Sequence, residues 1–206
     1  MPHRGTLPEL PPLADAPGTP VVLLHGLMGS PGNYERTARR LLDAGVPVAA
    51  PEYGRHGTVG LERSLAEITD GIGEVLGHSP TGRIDIVGHS LGGLMGLRLA
   101  HYLPGKVRTL VGLGAAFRGL PPARNRLLGW GIGTVMGVGA RELMVPQPLD
   151  AVVPEGTRVV SIVSDADRVV PTDSSRLGEL VEVHGVRHEH LPGLAAEITD
   201  ALGWRP

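Results

Sequence analysis

The sequence predicts an α/β fold built on a doubly wound, mostly parallel sheet of about six strands. Short apolar runs alternate along the chain with segments whose apolar residues recur at helical spacing. The runs are apolar without interruption, which is typical of parallel strands that helices cover on both faces. Because such strands are joined by right-handed crossovers, we expect ligands to bind at the carboxyl ends of the strands.

The expected elements alternate regularly. Strands are predicted at 21–24, 46–50, 84–87, 107–113, 158–163 and 180–183. Apolar residues within 34–42, 61–76, 94–103 and 194–202 form helical faces. The sequence contains no internal repeat.

One connection is too long for an ordinary loop. Residues 115–154 contain many apolar side chains, among them Trp130, Met136 and Met144, interleaved with glycines. This segment is interpreted either as a cap-like insertion that lines a pocket or as a buried packing helix. The remaining organisation is predicted to be an extended, Pro-rich arm at 1–20 and a single domain at 21–206.

Composition excludes several classes of protein. The chain has 206 residues with 19 basic and 21 acidic side chains and no dense basic run, so no nucleic-acid partner is expected. It has no cysteine, which excludes disulfides, thiolate metal sites and cysteine nucleophiles. No transmembrane segment is predicted, and residues 1–20 lack an apolar core of signal-peptide length. The expected location is the cytoplasm, or outside the cell if a leader has been removed.

The most informative motif spans residues 88–92 and reads Gly-His-Ser-Leu-Gly. It follows a predicted strand and precedes a predicted helix. In such a G-x-S-x-G turn the glycines allow a sharp bend that exposes the serine hydroxyl above the sheet. Ser90 is therefore the candidate nucleophile.

A serine nucleophile needs a histidine to accept its proton and an acid to orient that histidine. Asp165 and Asp167 follow one predicted strand, and His184, His188 and His190 follow the next. The chain order of serine, acid and histidine is that of α/β-hydrolases. Within this set, Asp165 could instead cap a turn, and the three histidines could instead form a metal site.

The chain resembles a small bacterial lipase of the α/β-hydrolase superfamily, of the compact type with a six-stranded sheet. The segments that carry the resemblance are 21–27, 88–92, 167–171 and 184–188, within a likeness that runs from about residue 20 to 202. The resemblance implies that Asp167 is the acid and His188 the base. His190 is the alternative base.

When Ser90 attacks a carbonyl, two N–H groups must stabilise the oxygen that becomes negative. The backbone N–H groups of Leu27 and Leu91 fit these positions. The predicted substrate-binding side chains are Met28, Trp130, Met136 and Met144. His25 is expected to brace the first turn, and a packing role is expected for His89.

The function expected from these residues is hydrolysis of carboxylic esters, lipase-like or esterase-like, with no cofactor and no metal. The expected partner is a small acyl ester or a lipid, with transient contact to a lipid surface as a further possibility. Two alternatives stay open: an acyltransferase or thioesterase with the same triad, and a non-catalytic binding protein with the same fold.

Overall fold

A computed structural model describes residues 5–13, 18–121, 136–145 and 151–204. Its centre is a six-stranded sheet in the order β2-β1-β3-β4-β5-β6, in which every neighbouring pair is parallel. The strands are β1 (Val21–Leu24), β2 (Val48–Ala49), β3 (Ile84–His89), β4 (Val107–Leu113), β5 (Arg158–Ser164) and β6 (Glu179–Val183). The predicted α/β fold class is confirmed.

Four strands differ in length from the prediction: β2 is shorter at both ends, β3 and β5 extend further, to His89 and Ser164, and β6 begins one residue earlier, at Glu179. The second begins at Val48 rather than at residue 46, because the Val46 N–H still donates to Leu41 O at the end of the preceding helix, at 2.9 Å. The third continues to His89, because Gly88 and His89 pair with Gly112 and Leu113 of β4. The Gly-His-Ser-Leu-Gly turn at 88–92, called the elbow below, therefore begins within the last two residues of β3.

Within the described residues, the longer helices are α1 (Glu35–Asp43), α2 (Leu61–Gly77), α3 (Leu91–Tyr102), α4 (Val138–Leu143) and α5 (Ala195–Leu202). The described chain also contains one-turn helical segments at Gly54–Gly57 and Thr172–Ser175, and 3-10 helices at Pro31–Tyr34 and His188–Gly193. None of the helices in the described part of the chain is long and apolar enough to cross a membrane.

Both faces of the sheet are buried. Alternate residues of β1 belong to two separate apolar clusters: Val22 and Leu24 pack in the first, and Val21 and Leu23 in the second. The first cluster includes apolar residues of α2 and α3, and the second includes those of α1 and α5. This two-sided burial explains why the strands are apolar without interruption.

The strand order places a topological switch point beside the elbow. The chain goes from β1 outward to β2 and then returns to β3 on the other side of β1. In the register of β1 and β3, Leu24 lies opposite Gly88. The turns that follow β1 and β3 thus leave the same edge of the sheet as neighbours, which is where open α/β sheets bind ligands.

Candidate active site

Ser90 has the backbone conformation of a strained elbow, with φ 53° and ψ −115°. A positive φ is uncommon for a residue with a side chain and is retained only where the surroundings enforce it. Two hydrogen bonds do so: Ser90 N–H donates to Leu113 O at 3.0 Å, and Ala116 N–H donates to Ser90 O at 3.1 Å. The end of β4 thereby fixes the candidate nucleophile.

The elbow glycines allow backbone segments to touch. A Cβ on Gly92 would overlap the carbonyl oxygens of Leu24 and His25, and one on Gly88 would overlap the backbone of Gly92. These contacts bring the start of α3 against the end of β1. The N-terminus of α3 consequently lies beside the turn that follows β1.

His188 and Asp167 form a buried pair. The His188 Nδ1–H donates to Asp167 Oδ2 at 2.7 Å, and the two side chains are only 9% and 5% exposed. Because Nδ1 carries the proton, the Nε2 of His188 is left as an acceptor, as a general base requires. His188 lines the same cavity as Ser90.

Asp167 is held as a carboxylate. Its Oδ1 accepts the N–H groups of Val169 at 2.8 Å and Val170 at 3.0 Å. Burial on its own would raise the pKa of Asp167, but the hydrogen bond and charge of His188 and these two N–H donors outweigh burial and lower the pKa below its ordinary value. The acid is therefore ionised at neutral pH.

The other candidate acid and bases have different partners. His184 Nδ1 lies 3.0 Å from Asp165 Oδ2, with side chains 80% and 60% exposed. The Gly185 N–H and the His184 hydrogen bond lower the pKa of Asp165. His190 Nε2 accepts from Arg187 at 2.9 Å on the surface. No three acidic, histidine or cysteine side chains among the described residues are grouped as a metal site.

The turn after β1 supplies the second candidate oxyanion donor. Gly29 N–H donates to Gly26 O at 2.9 Å, closing a tight turn that contains Leu27 and Met28, and Met28 has φ 58°. Leu91 is the first residue of α3. A Cβ on Gly57 would lie 2.8 Å from Leu91 Cδ2 and 3.4 Å from Leu27 Cα, so one glycine packs on both residues.

Residues outside the predicted site support this turn. The segment Gly54–Gly57 has positive φ at all four positions, and Met28 N–H donates to His56 O at 2.7 Å. The His25 Nδ1–H donates to Gly26 O at 2.9 Å, and its ring stacks on Tyr53 at 4.3 Å. The sequence analysis did not identify residues 54–57 as a support of this turn. The available signal was the pair Gly54 and Gly57.

A cavity of about 270 Å³ opens beside Ser90. Its lining is mostly apolar and includes the predicted pocket residues Met28, Met136 and Met144; Trp130 lies outside the described residues. The other lining residues are Gly26, Leu27, Gly29, Asn33, His89, Leu120, Ala140, Leu143, Val169, His188 and Glu189. An apolar cavity beside a candidate nucleophile suits an acyl group.

Helix α4 is tied to the main body next to this cavity. The Leu61 N–H at the start of α2 donates to Glu142 Oε2 at 2.6 Å, and Gly139 N–H donates to Thr58 O at 3.1 Å. A Cβ on Gly139 would lie 2.6 Å from the backbone oxygens of Gly57 and Val59. The described part of the predicted insertion therefore packs closely on the segment that supports the turn after β1.

Gly114 is a further residue that sequence reasoning missed. It follows β4 with φ +48°, and a Cβ there would lie 2.6 Å from Asp167 Oδ2 and 3.1 Å from His188 Nδ1. Any side chain at this position would enter the acid–base pair. The signal in the sequence was a glycine directly after an apolar strand, a pattern too common in this chain to single out.

A family profile described as alpha/beta hydrolase fold matches residues 19–139. Two curated proteins are similar over part of their length. RutD of Variovorax paradoxus (strain S110), named as a carbamate hydrolase, is 35% identical over 102 residues, or 47% of this chain and 38% of RutD. The sn-1-specific diacylglycerol lipase ABHD11 of Danio rerio is 32% identical over 96 residues, 45% of this chain and 30% of that protein. The matches thus span well under half of these relatives.

A solved structure shares the fold over nearly its whole length. The monoacylglycerol lipase of Paleococcus ferrophilus superposes with a TM-score of 0.64 over 90% of this chain and 94% of that chain, at 23% identity. At that identity the likeness concerns the fold alone, because one fold carries many chemistries.

Proposed function

This chain belongs to the alpha/beta hydrolase fold family, and we propose that it is a serine hydrolase that cleaves carboxylic esters of lipase or esterase type. The candidate triad is Ser90, His188 and Asp167. The observation that carries the proposal is the buried Asp167–His188 hydrogen bond at 2.7 Å, with His188 lining the same apolar cavity as the strained Ser90. The proposed mechanism requires no cofactor.

In the first half of the reaction, Ser90 Oγ attacks the ester carbonyl carbon while its proton passes to His188 Nε2. The imidazolium that forms is stabilised by the Asp167 carboxylate. The carbonyl oxygen becomes an anion, which the N–H groups of Leu27 and Leu91 stabilise. The C–O bond to the alcohol then breaks, the alcohol leaves with the proton of His188, and the acyl group stays on Ser90.

In the second half, water enters and gives a proton to His188 Nε2 as its oxygen attacks the acyl carbon. A second tetrahedral anion occupies the same two N–H groups. It collapses with cleavage of the bond to Ser90 Oγ, which takes the proton back from His188. The products are a carboxylic acid, an alcohol and the original enzyme.

The apolar lining of the cavity supports an acyl ester over a small polar substrate. Burying a methylene from water contributes about 0.8 kcal/mol, and Met28, Met136, Leu143 and Met144 offer apolar surface for this. The similarity to RutD makes carbamate hydrolysis the second candidate, because attack on a carbamate carbonyl needs the same groups. Transfer of the acyl group to an alcohol or cleavage of a thioester would also use this triad.

The test compares the parent chain with Ser90→Ala on p-nitrophenyl esters, a thioester and a carbamate of matched acyl size. We expect ester hydrolysis by the parent and a fall on the order of 10⁴-fold in Ser90→Ala, with an unchanged melting temperature. A fluorophosphonate probe should label the peptide that contains Ser90. Activity of Ser90→Ala within tenfold of the parent, or labelling elsewhere, would contradict the proposal; a preference for the carbamate would favour the second candidate.

A further inference from the structure

His89, the residue directly before Ser90, contacts the loop that carries the candidate base. Its Nε2 lies 3.0 Å from the backbone oxygen of His188, although the two residues are 99 positions apart. The two rings also touch, with centroids 4.5 Å apart and an angle of 41° between their planes. The His89 side chain thus contacts both the main chain and the ring of His188.

The hydrogen bond fixes the proton on His89. A carbonyl oxygen only accepts, so His89 Nε2 must carry the hydrogen and the neutral ring keeps Nδ1 bare. Nδ1 faces the turn after β1, since a Cβ on Gly26 would lie 2.9 Å from it. Burial and then the charge of His188 lower the pKa of His89 to about 3, although the hydrogen bond to the His188 backbone and the charge of Asp167 raise it, so the ring stays neutral at neutral pH.

A neutral ring matters at this position because His188 becomes an imidazolium during the proposed reaction. A second cation at 4.5 Å would oppose that charge. Asp167 contacts the His188 ring at one atom, Nδ1. His89 adds two further contacts to His188, a hydrogen bond to its backbone oxygen and a contact with its ring.

We propose that His89 is a positioning residue that fixes the main chain and ring of His188, so that His188 Nε2 is directed toward Ser90. The expected loss of activity rests on the proposed function. The positions of the ring hydrogens on His89 and His188 do not depend on any activity. It also gives the residue before the serine a role beyond packing. The same ring connects the base loop, the elbow and the turn after β1.

The kinetic test uses two variants of His89. His89→Leu introduces an apolar side chain that has no hydrogen-bond donor. His89→Gln keeps an N–H donor at the end of a side chain of comparable reach. Displacing a catalytic group by about 1 Å costs on the order of 10²-fold. We therefore expect kcat of His89→Leu to fall about 10²-fold with KM within threefold of the parent, and His89→Gln to recover most of that loss. Equal losses in both variants, or no loss in His89→Leu, would overturn the proposal.

The structural test uses the wild-type chain labelled with ¹⁵N-histidine. Long-range ¹H–¹⁵N spectra at pH 7 should show His89 as the neutral Nε2–H form and His188 with its proton on Nδ1, the assignments being made with His89→Gln and His190→Ala samples. The His188 signals should broaden or shift in His89→Leu and remain in place in His89→Gln. A His89 ring protonated on Nδ1 would refute the proposal even if the chain hydrolyses esters. The expected spectra with no ester hydrolysis would instead refute only the proposed function.

Discussion

Replacing Gly114 by alanine should damage the candidate acid–base pair from the side of β4. Gly114 has φ +48°, and its Cα faces the hydrogen bond between Asp167 and His188. An alanine Cβ would lie 2.6 Å from Asp167 Oδ2 and 2.7 Å from Leu191 Cδ1. Non-bonded heavy atoms prefer about 3.5 Å or more, so the carboxylate must move by roughly 1 Å.

The size of the effect follows from two separate terms. A left-handed conformation costs a residue with a Cβ about 1–2 kcal/mol, which lowers stability. Displacement of a catalytic group by about 1 Å costs on the order of 10²-fold in rate, and loss of the acid altogether costs about 10⁴-fold. We therefore expect kcat of Gly114→Ala to fall between 10²- and 10⁴-fold while the chain stays folded.

Gly105→Ala is the matched control. Gly105 precedes β4 with φ +74°, and a Cβ there has no neighbour within 4 Å. It carries the same backbone penalty without the collision. The assay measures kcat and KM on a p-nitrophenyl ester together with urea unfolding of both variants and the parent.

Both variants should lose a similar unfolding free energy because they share the backbone penalty, and Gly114→Ala should lose more because of the collision. A large fall in kcat is expected in Gly114→Ala alone. Activity of Gly114→Ala within threefold of the parent would show that the 2.6 Å approach does not displace the Asp167 carboxylate. Should both variants lose activity equally, the effect belongs to stability rather than to the acid–base pair.

Two further predictions concern the acid and the cavity. Asp167→Asn should lower kcat about 10³- to 10⁴-fold because it presents the wrong tautomer of His188, while Asp165→Asn and His190→Ala should stay within threefold of the parent. Because the folded pKa of Asp167 is lowered, its stabilisation is present above its unfolded pKa of about 3.9 and is lost as pH falls through the folded pKa. The unfolding free energies of the parent and Asp167→Asn, measured in urea, should therefore converge at acid pH. Met136→Ala and Met144→Ala shorten side chains of the cavity and should lower kcat/KM for octanoyl esters about tenfold more than for acetyl esters. Val138→Ala, at an exposed position, is the control. Equal losses on both esters, together with a sharply lower melting temperature, would show that these methionines are core residues.

The fold was predictable because its signals are local. Each strand is a run of apolar residues that fill both faces, and β1 contributes alternate residues to the two clusters. The missed boundaries depend on particular hydrogen bonds. The chain at Val46 is still hydrogen-bonded to α1, and β3 gains two residues from pairing with Gly112 and Leu113. Neither contact leaves a trace in hydrophobic periodicity.

The candidate site was predictable only in part. The elbow has a local signal in its glycine spacing, and Ser90 within it has φ 53° and ψ −115°. The supports of the site depend instead on contacts between distant segments. His89 meets His188 across 99 positions, and His56 holds Met28 from a turn with positive φ at non-glycine positions. A single sequence does not show which distant segments will be in contact. In the sequence alone, His89 and His56 therefore look like ordinary packing and loop residues.

The two halves of the candidate site come from different parts of the chain. The family profile matches residues 19–139, which contain the elbow and the turn after β1 but neither Asp167 nor His188. The pairing of those two residues therefore rests on the coordinates and not on the profile. It follows from the parallel sheet, because β5 and β6 deliver their carboxyl ends to the same edge as β3. A buried carboxylate with a hydrogen-bonded histidine beside a strained serine has few uses in a packed core, since isolated buried charge is unfavourable. The acid–base half thus supports a catalytic interpretation independently of the family match.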